Sequence, residues 1–172
     1  MNFLLRYLGN LKFKILGVRL PLSCQIAPSA SVSQGRLISL HRKVLIDAGV
    51  IIRPYGGNIS IGPNSTVNPY CVLYGHGGLR IGSGVRIATG AVFAGVNHNF
   101  NSIDDFIFHQ GWSHDGIIIE DDVWIGAGAI ILDGVTVGQG CIIGAGSVVT
   151  KSLEPYGVYV GNPAKLVRRR QR

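Results

Sequence analysis

Residues 119–154 divide into six hexads: IEDDVW, IGAGAI, ILDGVT, VGQGCI, IGAGSV and VTKSLE. An aliphatic residue opens each one, at Ile119, Ile125, Ile131, Val137, Ile143 and Val149. Four places on stand Val123, Ala129, Val135, Cys141, Ser147 and Leu153, mostly small or β-branched. A helix repeats at about 3.6 residues and a strand at about 2, so neither yields a period of six. A short flat strand followed by a tight turn does take six residues, and three such sides close a triangular coil. The aliphatics then stack into a column, small residues let the chain turn each corner, and backbone hydrogen bonds run from coil to coil.

The same phase occurs earlier as IGPNST, VNPYCV and LYGHGG from Ile61, and after a two-residue slip as IGSGVR, IATGAV and FAGVNH from Ile81. Weaker units at Ile26 and Val32 place the onset near residue 26. The chain is therefore expected to be an all-β triangular solenoid over 26–154, preceded by a helical or irregular segment over 1–25. One stretch breaks the phase: NFNSIDDFIFHQGWSHDG, after His98, has no aliphatic register. Loops this long inside a compact domain are usually functional or disordered, and this one is expected to project from the prism over 99–118. Residues 155–172 are expected to add a strand, a Gly161-Asn162-Pro163 turn and a brief basic helix over 164–170 that covers the last coil.

With 172 residues, 47% of them hydrophobic and 15% charged, the chain is long and apolar enough for one domain with a substantial core. Its 25 glycines follow no collagen period and belong instead to the turns of the repeat. Three cysteines, with no CxxC pair, argue against a disulfide framework and for a reducing cytoplasm. The net charge of +7 is concentrated at the termini. Residues 1–20 carry Arg6, Lys12, Lys14 and Arg19, and residues 155–172 carry Lys165, Arg168, Arg169, Arg170 and Arg172, with no carboxylate in either segment. Basic ends on a near-neutral body favour an anionic ligand, a polyanionic substrate or an acidic membrane surface over a DNA-reading face. Charges interrupt the apolar run of residues 1–20, and no A-x-A-like cleavage site follows. That segment reads as a short amphipathic helix, packed on the body or lying on a membrane surface, which gives a cytoplasmic protein with peripheral membrane contact through its basic termini.

The hexads resemble those of the hexapeptide-repeat acyltransferase family over residues 26–168. GVNHNFNS, followed by IIIEDDVWIGAGAIILDGVTVG, is similar to its sugar O-acetyltransferase branch, which includes galactoside, maltose and xenobiotic acetyltransferases and capsule or O-antigen modifiers. VGNPAKLVR at 160–168 resembles the family's coenzyme signature. This resemblance implies a left-handed parallel β-helix, a homotrimer with each active site between two prisms, acetyl-CoA as acyl donor, a sugar or glycan hydroxyl as acceptor, and no metal.

Acyl transfer from a thioester to a hydroxyl needs a group that takes the hydroxyl proton, and neutral imidazole suits cellular pH best. His98 is the candidate base: it ends a hexad, at a corner, immediately before the irregular loop. The resemblance assigns Asn68 and Asn97 to the acceptor, and stacking of adjacent coils is expected to bring Asn68 near His98. It sets Trp124 beside the acetyl group or coenzyme, and Gly126, Ala127, Gly144, Ala145 and Thr150 along the pantetheine, with small side chains allowing close approach. Lys165 and Arg168 match positions that meet coenzyme phosphates. Ala127 stands where related enzymes carry serine, leaving backbone N–H groups to stabilise the oxyanion.

Two other readings use the same solenoid. A γ-type carbonic anhydrase would need zinc-binding histidines, for which His76, His109 and His114 are the candidates. A non-catalytic sugar-binding homologue would need no base. Nucleic acid as a partner rests on the basic tail alone, without interleaved aromatics.

Overall fold

The computed structural model describes residues 3–171. Its body is a left-handed parallel β-helix of about seven coils with three flat faces. The first face runs from Gln25–Ile26 to Gly157–Val160, the second from Ser31–Val32 to Val148–Val149, and the third from Ile38–Leu40 to Thr136–Val137. The first corner joins the first face to the second, and the second corner joins the second to the third.

Register keeps like over like. On the first face Ile26, Ile46, Val67, Ile87, Ile125 and Ile143 stand one above another, all buried. At the first corner the inward column is Ala30, Val50, Cys71, Ala91, Ala129 and Ser147, small because the prism is narrow there. The buried serine hydroxyls among the described residues are satisfied: Ser147 Oγ accepts from the Gly161 amide at 3.0 Å, and Ser65 Oγ donates to the Gly82 carbonyl at 2.7 Å. From the second coil on, the turns of the first corner carry one left-handed residue each, Gly49, Tyr70, Gly90, Gly128 and Gly146, with φ of 61 to 72°. The corners therefore absorb much of the glycine in the composition.

A helix, α1 (Phe3–Ile15), lies across the open end of the first coil. Gly9 presses so closely on the Ile26 carbonyl that no Cβ would fit, Asn10 Nδ2 donates to the Cys24 carbonyl at 2.8 Å, and Phe13 is fully buried. The backbone groups of the first coil are thereby kept from forming a bare edge.

Three boundaries differ from the sequence reading. The solenoid continues past residue 154, because Val158 and Tyr159 pair with Ile142 and Ile143 as a further strand of the first face. Lys165–Arg169 is a strand, not a basic helix: it pairs antiparallel with Gly157–Val160. The last coil exposes a row of unpaired backbone groups, and a strand satisfies them whereas a helix cannot. The excursion also closes earlier than 118. Asn97–His98 pairs antiparallel with Trp112–Ser113, and the chain rejoins the third face at Ile117, opposite Leu79.

Candidate functional site

His98 lies on the outgoing strand of this excursion hairpin, its backbone opposite Trp112, rather than on a solenoid corner. The hairpin is internally tied. Gln110 Nε2 donates to the carbonyls of Ser102 and Asp105, and Asn99 Nδ2 donates to the Gln110 carbonyl at 3.0 Å. At its base the Asp133 carboxylate accepts from the amides of Asp115 and Gly116, at 2.8 and 2.9 Å. An irregular segment is thus held in a defined position beside the prism.

Beneath the hairpin a pocket of about 500 Å³ follows the second corner, lined by His98, Trp112, His114, His76, Tyr55 and Gln34 among others. Register explains why these residues meet. Arg53 stacks under Tyr74, so Tyr55 stacks under His76, and their rings lie 4.4 Å apart, inclined by 22°. The His76 Nδ1 atom is buried and has no hydrogen-bond partner. Burial, with the neighbouring His114, holds this imidazole below the ordinary histidine range, while Asp133 pulls the other way. The sequence does not single out Tyr55, His76, His114 and Trp112 as acceptor-site residues; a separation of about one coil, roughly 20 residues, could have joined Tyr55 to His76, whereas Trp112 and His114 come to the pocket through the hairpin, Trp112 pairing with His98.

The other expected site residues sort onto two edges of the prism. Asn68 is level with Ala88, Gly126 and Gly144 on the first corner, since Val67, Ile87, Ile125 and Ile143 are in register. Within one protomer Asn68 therefore does not approach His98; the second face separates them. Ala127 and Ala145 are exposed on the same first corner, and among the described residues neither of their amides has a hydrogen-bond partner. Trp124, 53% exposed, sits on the first face just before that corner, between Arg86 and Ile142. Thr150 instead lies on the second-corner side, above Ala94 and Leu132, as Asn97 and His98 do.

The glycines have a packing role that the sequence reading did not include. A Cβ on Gly126 would come within 2.5 Å of the Ala145 amide nitrogen, and one on Gly144 within 2.8 Å of Val160. Their missing side chains admit the next coil. Lys165 and Arg168 are exposed on the C-terminal strand, whereas Arg170 is drawn to Asp122 at 2.8 Å and Arg169 to the Pro155 carbonyl at 3.0 Å.

Among the described residues no group of three or more His, Cys, Asp or Glu is arranged to hold a metal ion. His109 lies out on the hairpin, 3.0 Å from Asp105, away from His76 and His114 at the pocket. The three thiols are buried, which pushes each of them up from the ordinary range. They donate to backbone carbonyls and act as packing.

Residues 116–151 match the family model for bacterial transferase hexapeptide (six repeats). A Lysinibacillus sphaericus protein described as a probable macrolide acetyltransferase is 40% identical over 108 residues, 54% of this chain and 60% of its own length. The chain thus spans under two thirds of that relative. Among solved structures, a variant of the N-acyltransferase AntD from Bacillus cereus, in complex with dTDP-4-amino-4,6-dideoxyglucose and coenzyme A, superposes with a TM-score of 0.84 at 26% identity, covering 95% of this chain and 90% of AntD. A Staphylococcus aureus (strain COL) protein described as an acetyltransferase is 37% identical over 150 residues, 83% of this chain and 72% of its own. At that identity and coverage, the chain belongs to the hexapeptide-repeat transferases and stands with their acyltransferase members.

Proposed function

We propose that the protein transfers an acetyl group from acetyl-CoA to a hydroxyl of a sugar or glycan precursor, at a site shared between two prisms of a homotrimer. The observation that carries this reading is the division of the candidate residues between two edges flanking one face. Asn68, Ala127 and Ala145 lie along the first corner, and His98 lies beyond the second, at neighbouring coil levels. In a cyclic assembly the first-corner edge of one prism meets the second-corner edge of the next.

The first-corner edge suits the donor. It offers unpaired amides at Ala127 and Ala145, one coil apart, to an extended pantetheine, and leads toward Lys165 and Arg168 for its phosphates. The second-corner pocket suits the acceptor, with an aromatic wall of Tyr55 and Trp112 and the His98 imidazole beside it for a hydroxyl. His98 takes the proton of the acceptor hydroxyl as its oxygen bonds to the thioester carbonyl carbon. The C–S bond then breaks, and the imidazolium returns the proton to the departing thiolate. With Ala127 in place of a serine, the oxyanion is met by backbone N–H groups of the first corner.

A second reading, N-acylation of an amino sugar, is favoured by the likeness to AntD, whose complex contains an amino-sugar nucleotide. Thiol release from acetyl-CoA across parallel panels of hydroxyl and amine acceptors separates the two. The proposal expects release with sugar or glycan hydroxyls, reduced about 10²–10⁴-fold in His98→Ala. Full turnover by His98→Ala contradicts it, and release with amines alone selects the N-acyl reading.

A further inference from the structure

Residues 1–46 contain seven basic residues and no carboxylate, and the first acidic residue of the chain is Asp47. In the fold residues 3–46 are one place: α1, the first coil and the turn into the second. Lys12, Lys14, Arg19, Arg36, Arg42 and Lys43 thus give one end of the prism a concentration of positive charge with no carboxylate among them.

The same end presents apolar surface. The inward side of α1 is used up by Gly9, Asn10 and Phe13 against the first coil. Its outer side carries Tyr7, Leu8, Leu11 and Ile15, exposed by 44 to 77%, continued by Leu16 and by Leu22 at 75%. A helix on a solvated protein surface keeps its outward side polar; here both sides are apolar. Because α1 lies across the open end, its outer side looks away from the prism, not toward the faces where prisms pack side by side. Lys14, Arg19, Arg42 and Lys43 are exposed around it, and the Lys43 amide donates to Ser23 Oγ beside Leu22.

We infer that this end of the prism docks on an anionic lipid surface, with the outer side of α1 entering the headgroup layer and the surrounding cations meeting lipid phosphates and carboxylates. Apolar side chains ringed by Lys and Arg with no acid among them are the make-up of an interfacial helix. No helix among the described residues is long and apolar enough to cross a membrane, so α1 lies on the surface. The basic C-terminal strand takes no part. It pairs with the last strand of the first face, at the opposite end of the prism, about 30 Å away at roughly 4.8 Å per coil. In a cyclic trimer all three α1 helices face the same way, so one lipid surface engages three copies at once.

The test is co-sedimentation of the full chain with vesicles of phosphatidylcholine alone and of phosphatidylcholine with phosphatidylserine. Binding is expected to the anionic vesicles only and to weaken as salt is raised. Ile15→Glu should abolish it, and Lys14→Glu, a surface change that leaves the α1 packing intact, should weaken it on the order of tenfold. Absence of binding to anionic vesicles, or binding that neither substitution alters, overturns the inference. So does a concentration-dependent assembly larger than the trimer that Ile15→Glu dissolves, because a second copy then covers this end.

Discussion

A histidine held below its ordinary range in the fold binds fewer protons there than in the unfolded chain. For His76 the cause is burial, with His114 adding to it and Asp133 opposing. Stability from this residue is present above the unfolded value of about 6.5 and is lost as the pH falls from there toward the lower folded value. Denaturation midpoints measured at about pH 7.5 and about pH 5.5 should therefore fall further for the wild type than for His76→Gln, which does not titrate. Equal losses would contradict the assignment. At this scale the sequence singles out a residue where a motif surrounds it. His98 stood out through GVNHNFNS and the broken hexads after it, and the fold supplies its hairpin. Tyr55 and His76 carry no motif; they meet only because Arg53 stacks under Tyr74. Stacking alone does not bring Asn68 to His98 within one protomer for the same reason, since sequence distance counts coils but not corners.

The stacked coil makes glycines in one hexad unequal. A Cβ on Gly126 would meet the Ala145 amide in the coil above, so Gly126→Ala should cost about 1–3 kcal/mol through displaced backbone. Gly128, two residues on, faces open space at φ 65°, and Gly128→Asn should cost about 1 kcal/mol or less, since asparagine tolerates the left-handed region. Urea titration of both variants checks the order, and a costlier Gly128→Asn would contradict the packing described. The hexads revealed the strands because aliphatic period and burial coincide: Ile125, Ile131 and Val137 open successive hexads and are buried on the three successive faces. The C-terminal misreading has an equally physical source. KLVRR is rich in helix formers, and the open edge of Gly157–Val160 overrides that local preference by pairing it as a strand.

At the scale of the whole molecule, the excursion hairpin exposes Phe100, Ile103, Phe106 and Phe108 by 70 to 98%, too much apolar surface for an isolated prism. The proposed trimer covers it with a neighbouring subunit. Light scattering should give three times the 18.4 kDa chain mass, and Phe106→Ser combined with Phe108→Ser should shift the mass toward the monomer while sparing the solenoid. None of this association was visible in the repeat, which specifies the inside of a coil and leaves its outside free. The sharpest test follows from the division of the site between two edges. His98→Ala and Ala145→Trp each disable a different edge, so either variant alone should release little thiol from acetyl-CoA with an acceptor that the wild type uses. When the two chains are refolded together, about a quarter of the sites in randomly mixed trimers pair an intact His98 with an intact first corner. The account predicts activity recovered to about that fraction of wild type. Mixed trimers that form but stay inactive would contradict a site completed between two prisms.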